Sequence, residues 1–159
     1  MTRDARMGVT VPGRVLARAR VPLAAGLLAV AASVLTGCSS PGAQFDQAVG
    51  QGFAAVETAR LAVALELDDR TFPTATRTAL EDARRELVGA SAAVAETDAA
   101  SASDAASRAE VLDALALGVD AVNEALDAMA GIGSLAVVEP ALEEAADALD
   151  DLGATGGDR

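Results

Sequence analysis

A few large apolar residues, evenly spaced in a chain otherwise rich in alanine and acid, set the strongest constraint on this sequence. Leu112, Leu115, Val119, Val122, Leu126 and Met129 follow intervals of 3-4-3-4-3, the spacing that lines one face of an α-helix. Asp113, Asp120, Glu124 and Asp127 fall between them, on the faces left for water. Ser101 with Asp104, or Ser107 with Glu110, offers a capping box at the start, and Gly131 and Gly133 supply the stop. Residues 103–130 therefore predict one amphipathic helix.

The pattern recurs three more times. A first helix is expected from Pro41–Ala43 to Leu67, with Phe45, Val49, Phe53, Val56, Val63 and Leu67 on its stripe and Leu61 and Leu65 widening it. Gly50 and Gly52 either weaken that helix, each by about 1 kcal/mol relative to Ala, or permit close packing. Asp68 to Pro73 reads as a turn, because proline disfavours helix in the residue before it. A helix over 74–97 carries Leu80, Ala83, Leu87, Ser91 and Val94 on its apolar face, with Val88 adding to it, and pairs Glu81 with Arg84 or Arg85. The last helix begins near Val138–Pro140 and repeats the spacing through Leu142, Ala145, Leu149 and Leu152. Short connections between four such segments predict an all-α, up-down-up-down four-helix bundle; the alternative is a three-helix bundle with a loose C-terminal helix.

The N-terminus has a different organisation. Residues 1–20 carry five Arg against Asp4 alone, and the fifteen residues from Val21 to Leu35 are almost wholly apolar. A basic stretch followed by a short apolar run is the order of a secretory signal peptide, and a membrane-spanning helix needs about 20 apolar residues. No Arg-Arg pair precedes the run, which favours the general secretory route, and Met7 offers a second start. The run ends in Leu35-Thr36-Gly37-Cys38, followed by Ser39-Ser40-Pro41-Gly42. This resembles the lipobox of bacterial lipoproteins: an aliphatic residue, two small residues, then a cysteine. The resemblance covers the first quarter of the chain and rests on its only Cys. It implies that Leu35, Thr36 and Gly37 are read by a dedicated signal peptidase, and that Cys38 receives a diacylglyceryl group and becomes the first residue after cleavage. The Ala-, Arg- and Gly-rich composition without Lys is similar to that of small lipoproteins of actinobacteria.

On that reading the chain divides into a signal peptide (1–37), a lipidated tether (38–42), an acidic helical bundle (43–152) and a flexible tail (153–159). Removing 1–37 takes away five Arg and one Asp, leaving 7 bases against 23 acids, a net charge of −16 on 122 residues. Leu, Val, Ile, Phe and Met make up 28 of those residues, just above the level below which a highly charged chain stays disordered. Alanine contributes another 32 and favours helix over strand. The core is therefore expected to be thin.

Composition also removes several chemistries. There is no His, so no imidazole base and no histidine metal ligand. A di-iron bundle, which takes Glu-x-x-His from two helices, is excluded on the same ground. Nucleic acid is not expected as a partner, since its phosphates need Lys and Arg. The acid pairs Asp68-Asp69, Glu143-Glu144 and Asp150-Asp151 sit on helical or turn segments where neighbours do not face one another. Calcium takes oxygen ligands, but no D-x-D-x-D-G loop with a distal Glu is present, so a solvated acidic face explains these residues better. Ser101, Ser103 and Ser107 belong to a helix-start junction, and no G-x-S-x-G elbow occurs. Arg60, Arg77, Arg84, Arg85 and Arg108 either converge on an anion or pair with neighbouring acids.

The expected protein is not an enzyme and holds no cofactor or metal. It is a lipid-anchored, extracytoplasmic helical module of the cell envelope that binds or spaces. Its partners are membrane lipid through Cys38 and a basic envelope protein or cell-wall component. The alternative is a lipoprotein receptor for a small ligand or cation.

Overall fold

The computed structural model describes residues 40–156, which form four helices and no strand. They are α1 (Pro41–Leu67), α2 (Pro73–Glu96), α3 (Ala102–Met129) and α4 (Leu135–Gly156). Each start has a local cause. Ser40 accepts from the Ala43 backbone N–H at 3.3 Å, with Pro41 in the first turn of α1. Ser101 accepts from the Asp104 N–H at 3.0 Å, so Ser101 rather than Ser107 caps α3. Phe72 precedes α2 without a side-chain cap; its carbonyl accepts from Ala75 and Thr76, and Pro73 presets the first turn.

Two helices end in the same way. In α3, Gly131 adopts φ +89°, its N–H reaches the Ala128 carbonyl, and the Ile132 N–H reaches Asp127 at 2.9 Å. In α1 the left-handed position is Asp69, at φ +56°, with the Arg70 N–H on Leu65 at 2.8 Å. Both are paired closures that satisfy the last helical carbonyls.

Side-chain contacts fix the directions. Gln44, early in α1, meets Thr97, just after α2, and Glu66, late in α1, accepts from Thr76, early in α2. Arg77 of α2 donates to the Met129 carbonyl at the end of α3. Arg60, late in α1, lies 3.9 Å from Glu143, early in α4. Sequential helices are thus antiparallel, and α4 closes the ring against α1 and α3. The bundle is up-down-up-down, and α4 is an integral member rather than a loose appendage.

Its cross-section is unequal. Across one diagonal α1 and α3 touch, whereas α2 and α4 do not. Both helices bury many small residues: Ala48, Gly52, Ala55 and Ala59 on α1, Ala114, Gly118 and Ala121 on α3. A Cβ added at Gly52 would fall inside the contact radius of Leu115 Cδ2, and one at Gly118 would stand 3.1 Å from Leu87 and Val56. Leu80, Leu87, Leu142 and Leu149 fill the space from α2 and α4, all fully buried.

Several expectations are corrected. In α3 the buried line runs through Val111, Ala114, Leu115, Gly118, Ala121, Val122 and Ala125, with Leu112, Val119, Leu126 and Met129 at its margin. Leu61, Leu67 and Val88 are exposed, and Ala90 takes the inward position near Ser91. The fourth helix starts at Leu135, so Pro140 lies inside it and leaves the Ala136 carbonyl without its helical donor. The helix also runs to Gly156, so the bundle extends over both the 41–42 and 153–156 segments.

The two glycines of α1 should respond in opposite ways. Gly52→Ala is expected to destabilise by about 1–3 kcal/mol through overpacking, despite the better helix propensity. Gly50→Ala, at an exposed position with nothing within 4 Å, should stabilise by up to about 1 kcal/mol. Thermal melts of the two variants check both signs. Thr76 is buried and donates to Glu66 at 2.7 Å; Thr76→Val should cost about 1–2 kcal/mol in urea unfolding, with the helical content retained.

Candidate functional site

The two ends of the bundle both carry hydroxyls. One has the starts of α1 and α3 and the finishes of α2 and α4, with Ser40, Thr97, Ser101, Ser103 and Thr155; the other has Thr71, Thr74, Thr76, Thr78 and Ser134. A groove of about 390 Å³ opens at the Ser40 end. Phe45, Val49, Val111 and Leu152 supply its apolar lining, and Asp46, Asp104 and Glu110 its acids. Ser107 and Glu110, the capping pair that the helix start does not use, both line it. Phe45, Val49 and Val111 are buried core residues, so the groove is shallow over a packed interior.

The other residues singled out in the sequence are dispersed. Asp68, Asp69, Glu143, Glu144, Asp150 and Asp151 are all exposed. Among the described residues, no group of three or more carboxylates is placed to hold a metal ion. The arginines do not converge. Arg60 donates to Glu57 at 2.6 Å on its own helix and approaches Glu143 across to α4. The hydrogen bond to Glu57 raises the proton affinity of this guanidinium above its ordinary value; partial burial opposes the effect, and the charges of Glu57, Glu143 and Asp147 reinforce it. Arg85 pairs with Asp82 at 2.8 Å rather than with Glu81, which corrects the pairing expected on α2. Arg77 and Arg108 donate to the backbone carbonyls of Met129 and Thr97. Arg84 and Arg85 border a hollow on the flank between α2 and α3, beside Glu81, Val88, Val119 and Asn123.

Two polar residues carry structural weight that the apolar spacing gave no reason to notice. Thr76 and Thr97 are buried at opposite ends of the α1–α2 pair. Thr97 Oγ1 lies 2.8 Å from the Gln44 side-chain amide and 2.9 Å from the Ala93 carbonyl, and Thr76 binds Glu66. Together they clasp the hairpin at both ends. Each stands directly beside a turn, and that position was the available signal.

Leu35, Thr36, Gly37 and Cys38 lie outside the described residues. Among the described residues no helix is long and apolar enough to cross a membrane. Comparison with known proteins gave no matching family model, no matching curated protein and no matching solved structure.

With the carboxylates spread over the surface, divalent cations should act by screening. Calcium titration followed by thermal melting is expected to raise the midpoint no more than sodium chloride does at matched ionic strength. A saturable calcium-specific rise would instead show an ordered oxygen-ligand site.

Proposed function

We propose that this chain is a lipid-anchored helical module of the extracytoplasmic face of a cell membrane, acting by binding or spacing rather than by catalysis. One observation carries the reading. The sole Cys follows an Arg-rich head, a fifteen-residue apolar run and Leu35-Thr36-Gly37, and it stands two residues before Ser40, the cap of the first helix. A diacylglyceryl group on Cys38 would leave a tether of only Cys38 to Ser40, shorter than the 38–42 segment read from the sequence, before rigid helix begins. Each buried CH₂ contributes about 0.8 kcal/mol, and two acyl chains hold where a single myristoyl chain gives only marginal binding. The strongly acidic surface is repelled by anionic headgroups, which favours a bundle standing off the bilayer.

A second reading draws on the groove at the Ser40 end. Its apolar lining and its three acids suit a small cationic ligand, and place that ligand next to the tether.

The anchor is tested by mass spectrometry of the membrane fraction. The expected product is a diacylglyceryl-modified peptide beginning at Cys38, and Cys38→Ser should abolish it and leave residues 21–35 attached. A full-length chain with a free thiol in the soluble cytosol would overturn the reading.

A further inference from the structure

We propose that the end of the bundle opposite Ser40 docks a basic amphipathic segment of a partner protein. The proposal rests on the reading of the chain as an envelope binding module and names the surface and the partner chemistry. The α1–α2 and α3–α4 turns meet at this end. All four helix termini there present a large apolar side chain to solvent: Leu67 at the end of α1, Phe72 at the start of α2, Ile132 after α3 and Val137 at the start of α4. Phe72 is 79% exposed, Val137 76%, Ile132 69% and Leu67 43%. Among the described residues the Ser40 end has no exposed large apolar side chain.

This placement is costly in a chain so poor in large apolar residues. The sequence has three Phe and a single described Ile, yet one Phe and that Ile stand in water at the same end. The fold does not need either side chain. Phe72 contributes its carbonyl to the start of α2, which any residue supplies. Ile132 follows a left-handed glycine, where an apolar residue often packs back on its helix, but it leaves most of its surface exposed. Leu61, Val88 and Leu117 stand exposed one to a helix along the flanks, which is ordinary for a surface; the other four exposed large apolar residues gather at one end, as at a contact surface.

The rim chooses the occupant. Asp68, Asp69, Asp127 and Glu139 surround these residues, against Arg70 and Arg77, and Arg77 is turned onto the Met129 carbonyl. An apolar centre with a net acidic border complements a segment whose apolar side chains are flanked by Lys or Arg. A second copy of the chain would oppose acid to acid, and anionic headgroups meet the same repulsion. An end face about 20 Å across, two helix diameters, is at the small end for stable complexes, so the contact is transient.

The test uses the protein isolated from membranes and held in zwitterionic nanodiscs. The probe is a labelled eighteen-residue Leu/Lys amphipathic helix, with a Leu/Glu helix of the same pattern as control. Saturable one-to-one binding of the Lys peptide alone is expected. Phe72→Ser with Ile132→Ser should weaken it at least tenfold, Val137→Ser should weaken it less, and Leu61→Ser with Val88→Ser, on the flanks, should leave it unchanged. Unaltered helicity confirms that each variant is folded. Equal binding by all variants would reduce the effect to unspecific charge attraction and overturn the proposal. So would self-association, or partition onto lipid vesicles, that disappears with Phe72 and Ile132. A free Cys38 thiol would sink the anchoring reading and leave this titration standing.

Discussion

The close approach of α1 to α3 governs this molecule. Gly52 makes room for the Leu115 side chain, and Gly118 makes room for those of Leu87 and Val56, so small residues let the two parallel helices meet across one diagonal. Buried alanines flank the two glycines at positions 48, 55 and 59 and again at 114 and 121. The other diagonal is correspondingly long, and the fully buried leucines of α2 and α4 fill it. A chain with few large apolar residues cannot build a thick core. It can still exclude water by bringing helices together on small side chains, where many short-range dispersion contacts replace bulk.

That economy leaves function to the surface. Filling the interior with alanine and leucine down to near-zero exposure leaves little room for a ligand between helices. The groove at the Ser40 end and the hollow beside Arg84 therefore lie at the periphery. The charges behave likewise. The ion pairs of Arg60 with Glu57, half-buried, and of Arg85 with Asp82, exposed, span one turn of their own helices, and surface pairs of this kind contribute at most about 1 kcal/mol. They moderate self-repulsion more than they hold the fold. The inter-helix polar work falls to Thr76, Thr97 and the backbone-directed Arg77 and Arg108.

The helix number, the order of the elements and most boundaries were legible from spacing and caps, because serine, proline and glycine punctuate this chain at the right places. The inward faces were only half legible. Counting large apolar residues placed Leu115 and Val122 rightly at the centre of α3, but put Leu112, Val119 and Leu126 beside them, where the buried positions are Ala114, Gly118, Ala121 and Ala125. The same bias promoted Leu61, Leu67 and Val88, which face water. Pro140 drew the start of α4 too late, because the Leu135–Glu139 turn forms ahead of it and only the Ala136 carbonyl forgoes its bond. The acid pairs, read as a solvated face, are exposed. The groove was not anticipated, since its residues come from three helices far apart in sequence.

Topology links the two ends to any tether. Because α1 starts just after its cap Ser40 and spans 27 residues, its far end lies about 40 Å away along the helix axis. A lipid on Cys38 would hold the Ser40 end near the headgroups. An upright bundle would then carry Phe72, Ile132 and Val137 well beyond the reach of the same bilayer. Had the chain run in the opposite sense, those residues would sit at the membrane surface, and lipid would account for their exposure. With the anchor at Cys38 it would not, and the proposed partner segment would then approach from the side away from the bilayer.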